Sequence, residues 1–144
     1  MRRDLNSAST ELKRFSQRLE KNIAKANLQT AKVGLRQAIK QSSGHVSAKQ
    51  LAKEDHPYAT RHGEPQRDAG TINIQSGAFL RDWHIQDGGN ARNGVAIVNY
   101  NPIAKYLAEG TRKMFARPLE QVVVSAMAKV YESNLDDAVR SAMK

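Results

Sequence analysis

The side chains best able to do chemistry in this chain are its histidines, three of which, His45, His56 and His62, fall in one polar stretch. Histidine ligates transition metals and moves protons near neutral pH. The spacing of His56 and His62 matches no helical ligand pair, and no carboxylate or cysteine completes an evident tetrahedral set around them. They read instead as ordinary surface histidines. The chain has no His-Glu-x-x-His, no Gly-x-Ser-x-Gly and no Gly-x-x-x-x-Gly-Lys, and its carboxylates are mostly scattered singly or fall at helix positions where solvation is the default. Asp136 and Asp137 are neighbours in sequence, so on a helix they do not face one another and are best taken as solvated surface. The sequence therefore predicts no catalytic residue, no cofactor site, no metal site and no enzyme.

What remains is a cluster suited to contact rather than reaction. Arg112, Lys113 and Arg117 surround the apolar pair Met114 and Phe115. An apolar tip ringed by cations is costly to leave in water and useful as an anchor with steering charges. The flanking residues set its position. Asn101 is a favoured N-cap and Pro102 suits a first helical position, so a short helix carrying Ile103, Tyr106 and Leu107 is expected over 102–110. Gly110 should take positive φ and stop that helix. Residues 111–117 should form an exposed loop, and Pro118 should open a second, longer helix to about Met143. The alternative is that Phe115 tucks into the chain's own core.

Composition limits the classes. The chain has 144 residues, 40% of them hydrophobic and 26% charged, which suits one globular domain with one core. Apolar runs are too short for a membrane span, and the first residues lack the apolar region of a signal peptide, so the protein is expected to stay where it is made. Cysteine is absent, which removes disulfides and thiolate chemistry and agrees with a reducing compartment. Residues 1–67 hold 14 Lys and Arg against 6 Asp and Glu, whereas residues 68–144 hold 9 against 8, so the net charge of +9 belongs to the first half. Such a face could meet nucleic acid or an acidic protein, or could simply be solvated.

Within 1–41 the sequence from about Asn6 to Gln41 reads as one helix, since Leu12, Phe15, Leu19, Ile23, Ala26, Thr30 and Val33 alternate three and four apart with no proline between them. Leu28, Ala31, Leu35, Ala38 and Ile39 form a second apolar line later on. That implies fuller burial of this end or a bend near Gly34. Residues 42–69 are polar, broken by Gly44, Pro57, Gly63 and Pro65, and read as a long loop in which Tyr58, Arg61 and His62 are expected to touch a partner or fold over a sheet edge. Over 70–101, Thr71 to Gln75, Phe79 to Ile85 and Val95 to Tyr100 read as antiparallel strands, with turn chemistry at Asp87 to Asn90 and Asn93-Gly94. Trp83 should anchor the sheet against a helix. The last helix, with Leu119, Val122, Val123, Ala126, Val130, Leu135, Val139 and Met143 mainly on one side, should cover a sheet face. The fold class expected is α+β, a small antiparallel sheet flanked by a long N-terminal and a C-terminal helix.

Two motifs in this order carry a resemblance. The run Tyr106, Glu109-Gly110-Thr111 and then Ala116-Arg117-Pro118-Leu119 resembles the tail-completion, or neck, proteins of long-tailed bacteriophages, whose usual form is near Tyr…Glu-Phe-Gly-Thr…Ala-Arg-Pro-Phe. This chain lacks the aromatic between Glu109 and Gly110 and has Leu119 in place of the phenylalanine. Upstream, Ser76-Gly77-Ala78-Phe79-Leu80-Arg81 is similar to the family's Thr-Gly-x-Leu-Arg element. The resemblance implies a structural virion protein and a ring-forming subunit. Such a homo-oligomer, with sixfold symmetry matching the tail, would surround the DNA path in the neck. Its neighbours would be a head-side connector or stopper and a tail terminator or tail tube protein, after assembly in the host cytoplasm. A tail terminator of the same neck is the nearest alternative, and a basic nucleic-acid-binding module a further one.

Overall fold

Helix α1 (Arg2–Gln41) is 40 residues long, and its sequence has no proline to stop it. The computed structural model describes residues 2–44, 72, 77–88, 94–112, 116–117 and 119–144, and in it the helix continues unbroken through Gly34. A helix of this length extends about 60 Å. Serines close its last turn: Ser42 donates from both its N–H and its Oγ to the Ala38 carbonyl, at 3.0 and 2.8 Å. Ser43 Oγ donates to the Ile39 carbonyl at 2.6 Å. These bonds satisfy carbonyls that a helix end leaves open. The buried residues of α1, namely Ala26, Thr30, Ala31, Gly34 and Ala38, all lie in its second half. Fuller burial of that end, not an interruption at Gly34, accounts for the second apolar line.

Of the expected strand Thr71 to Gln75 only Ile72 lies within the described residues. Ile72 is buried, its N–H donates to the Gln41 carbonyl at 2.7 Å, and its carbonyl accepts from the Gly44 N–H at 2.9 Å. The expected strand beginning at Phe79 is corrected. Phe79, Leu80 and Arg81 belong to a single helical turn, α2 (Ala78–Arg81). Gly77 enters it at φ 75, and the Arg81 N–H donates back to the Gly77 carbonyl at 3.1 Å. The strand starts four residues later than read, as β1 (Trp83–Asp87), and pairs antiparallel with β2 (Val95–Asn99). Trp83 lies opposite Asn99, Ile85 opposite Ile97 and Asp87 opposite Val95. This register puts Trp83, Ile85, Val95 and Ile97 on one half-buried face and leaves His84, Gln86 and Ala96 exposed. Gly88 N–H donates to the Gly94 carbonyl at 3.1 Å to close the pairing, while the expected turn residues 89–93 lie outside the described residues.

A short helix, α3 (Ala104–Glu109), follows, and then the long helix α4 (Leu119–Ala142). Asn101 sits one turn ahead of α3, where its Oδ1 accepts from the Ile103 N–H at 3.1 Å and its carbonyl from the Ala104 N–H at 2.9 Å. The asparagine thus caps the turn that leads into the helix. Glu120 in the first turn of α4 and Arg140 in the last complement its dipole.

The sheet-covering role expected for the C-terminal helix is also corrected. The main partner of α4 is α1, and it is α1 that packs against both strands. Three contacts give an antiparallel seam: Asn22 Nδ2 donates to the Ala138 carbonyl at 3.2 Å, Asn134 Nδ2 donates to Thr30 Oγ1 at 2.9 Å, and Gly34 meets Met127. A β-carbon at Gly34 would lie 2.6 Å from Met127 Sδ and would collide with Ile97 Cδ1 on β2. One hydrogen atom in place of a side chain lets helix, helix and strand converge there. The architecture is α+β, with an antiparallel two-stranded sheet among the described residues and two long helices.

Candidate assembly surface

The two motif stretches, Ser76 to Arg81 and Tyr106 to Leu119, lie about 25 residues apart in sequence and meet in one apolar cluster. Phe79 from the first motif and Leu107 and Leu119 from the second are all buried and packed together with Ile72, and Trp83 and Ala104 lie against them. Phe79 and Trp83 stack edge to face with centroids 5.6 Å apart, a geometry that adds to the area they bury. Trp83 Nε1 donates to Ser42 Oγ at 2.9 Å, tying the hairpin to the end of α1. Asn99 Nδ2 donates to the Phe79 carbonyl at 2.9 Å and so fixes α2 against β2.

The cationic loop hangs from this cluster. Gly110 N–H donates to the Tyr106 carbonyl at 2.9 Å, and Gly110 itself takes φ 77 and ψ −179. Positive φ was legible in the sequence, but this is the extended glycine-only region and not the left-handed helical cap expected. The chain returns at Arg117, whose N–H donates to the Leu107 carbonyl at 2.7 Å, so the loop is pinched at its base. Thr111, Arg112 and Ala116 are exposed on either side of the tip. Lys113, Met114 and Phe115 lie outside the described residues, as do Pro118 and the expected contact residues Tyr58, Arg61 and His62. Arg117 is only 4% exposed and belongs to the inside of the chain, which removes it from the exposed group expected from the sequence.

Two further exposed apolar features stand out, one beside this region and one at the far end of α1. Tyr100, Ile103 and Tyr106 are 64, 47 and 57% exposed, and the Tyr100 ring lies 5.7 Å from that of His84. Ile103 and Tyr106 are three apart at the start of α3, hence on one side of it. The sequence places Ile103 and Tyr106 on this short helix, and their exposure is set by what packs beside it. Tyrosine is among the residues enriched at protein interfaces.

The other feature is the free end of α1. The seam ties Asn22 to Ala138, only a turn from the end of α4, so α4 can reach α1 to about residue 18. Before that, residues 5–14 are all exposed, with Leu5 at 70% and Leu12 at 69%. Phe15 and Leu19, the next members of the stripe, are half-buried. About 20 Å of amphipathic helix therefore extends past its partner, with its apolar line continuous with the line that α4 covers.

Among the described residues no three His, Cys, Asp or Glu side chains come together as a metal site, and no helix is long and apolar enough to cross a membrane. His84 Nε2 lies 3.4 Å from Asp82 Oδ1 on the exposed side of the hairpin, too long and too exposed to organise chemistry. No protein-family model, no curated protein and no solved structure matches this chain.

Proposed function

We propose that this chain is a structural subunit of a bacteriophage neck, a tail-completion protein that closes into a ring around the DNA path and joins the tail to the head-side connector. The observation that carries the reading is the common cluster of Phe79, Leu107 and Leu119. The two stretches that carry the resemblance thereby share one buried cluster beside the turn at Gly110, which supports reading them together.

Two features support assembly into a homo-oligomer. The free end of α1 offers Leu5 and Leu12, which nothing among the described residues covers, and α3 offers Ile103 and Tyr106. In a heterologous ring each subunit presents two different patches, one to each neighbour, and closure covers both. The tail terminator reading draws on the same ring architecture and differs in the neighbour that the ring meets.

Size-exclusion chromatography with light scattering tests this directly. The expected result is a discrete closed oligomer whose mass is a fixed multiple of the 16.0 kDa chain, sixfold if it matches the tail. A monomer at every concentration, alone and with purified tail tubes, would contradict the reading.

A further inference from the structure

Six of the ten Lys and Arg residues of helix α1 fall in one line. Arg14, Arg18, Lys21, Lys25, Lys32 and Arg36 are spaced four, three, four, seven and four apart, which at 3.6 residues per turn keeps all six within about 60° of the helix circumference. All six are exposed. The line runs about 33 Å along the axis and lies opposite the face made by Thr30, Gly34 and Ala38, which α4 and the hairpin cover. It therefore points directly away from the body of the chain. No acidic residue interrupts it: the helix has only Asp4, Glu11 and Glu20, of which the first two precede the line and Glu20 falls about 100° or more to its side. The exposed charges of α4 are mixed, with Glu120, Glu132, Asp136 and Asp137 among Lys129, Arg140 and Lys144. A helix face that needed only to be soluble could be mixed in the same way.

We propose that this line is a binding surface for the phosphate backbone of duplex DNA, contacted without regard to sequence. The inference rests on the line of charge alone and not on the neck reading. Length and chemistry favour duplex DNA over the other acidic partners. Over about 33 Å, close to one turn of B-form DNA, a straight row of cations crosses each of the two winding strands, and long Lys and Arg side chains can reach phosphates on either side of each crossing. Single strands would need aromatic platforms for the bases, and the one aromatic between these cations, Phe15, is half-buried on the apolar stripe, about 60° or more off the line. A protein interface would need desolvated apolar or aromatic anchors at its centre, whereas lysine, half of this row, is depleted there. Sequence readout would require the helix to enter the major groove and present side chains on both flanks. Here the far side of the helix is occupied by its own chain, which leaves backbone contact.

Counterion release makes the proposal quantitative. Six phosphate contacts give a slope of log K against log salt of about −5, a loss of about a thousandfold in affinity between 50 and 200 mM salt. Three contacts give a slope of about −3. The test is fluorescence anisotropy with two labelled 24-base-pair duplexes of unrelated sequence, across that salt range, on three full-length proteins. One is unchanged, one carries Lys21→Gln, Lys25→Gln and Lys32→Gln, and one carries Lys105→Gln, Lys129→Gln and Lys144→Gln. Both triples remove the same charge from exposed positions, and circular dichroism melts confirm that both fold. The expected result is equal binding of both duplexes by the unchanged chain, a loss of tenfold or more with the shallower slope for the α1 triple, and a change within about threefold for the other. Equal losses from both triples would reduce the effect to net charge and overturn the proposal. So would no binding at 50 mM salt, or complete displacement of the duplex by a polyglutamate chain at equal charge concentration, which would assign the line to acidic protein. The neck reading would survive any of these results, since its test reads oligomer mass alone.

Discussion

Asn134 Nδ2 on α4 donates a hydrogen bond of 2.9 Å to Thr30 Oγ1 on α1, in the middle of the seam between the two long helices. Thr30 is only 3% exposed, so water cannot replace it as acceptor. Thr30→Val keeps the shape and removes the acceptor. It should cost about 1–3 kcal/mol, because a part-buried amide then loses its partner. Thr30→Val with Asn134→Leu removes both partners and should cost less than the two single changes added together. Urea unfolding of the four proteins measures this, and strict additivity would mean that the bond does not couple the helices.

At Gly34 two effects oppose one another. Alanine in place of a helical glycine gains about 1 kcal/mol of propensity, but its β-carbon would press on Met127 Sδ and Ile97 Cδ1. Both atoms are the ends of flexible side chains, so they can yield to a methyl group. Gly34→Ala should therefore be nearly neutral. Gly34→Val adds two branches at the same point and should cost about 1–3 kcal/mol by overpacking. Met127→Ala should be less damaging in the Gly34→Val background than in the unchanged chain, by more than about 0.5 kcal/mol in a double-mutant cycle.

Gly110 presents a backbone problem and not one of space. At φ 77 and ψ −179 it occupies a region that side chains rarely enter. Gly110→Ala should lower stability by about 1–3 kcal/mol, and Gly110→Val by more, as read from denaturant midpoints. Loss of the pinch between Arg117 and Leu107 should follow as faster amide exchange at Arg117.

Local physics decided how much of this fold could be read from the chain. The long helices were legible because their apolar spacing has one period and nothing in α1 interrupts it. Val95–Asn99 was legible because three of its residues, Val95, Ile97 and Val98, are β-branched and sit between turn signals. Phe79 to Arg81 was misread because aromatic residues favour strands, whereas Gly77 at positive φ turns the chain first and leaves only Trp83 onward extended. The partner of α4 was misread for a different reason. Periodicity identifies the apolar face of a helix but not what covers it, and besides Thr30 of the stripe the seam with α1 uses Asn22, Gly34 and Asn134, residues that an apolar count does not select. The burial of Arg117 had no signal, since an arginine beside an exposed loop is ordinarily solvated. Of the candidate surface, the loop at Arg112 was visible in the sequence, while the exposure of Ile103, Tyr106, Leu5 and Leu12 required knowing where the other elements stop.

Hydrogen exchange on the free end of α1 tests assembly most directly. In the isolated chain, amides from residue 22 to Gln41 should be protected by the seam, whereas those from Leu5 to Phe15, exposed along the apolar line except for the half-buried Phe15, should exchange far faster. In the assembled oligomer the Leu5 to Phe15 segment should gain at least about a hundredfold in protection as a neighbour covers Leu5 and Leu12. Equal exchange of that segment in both states would mean that no neighbour docks there, and would contradict the ring built on it.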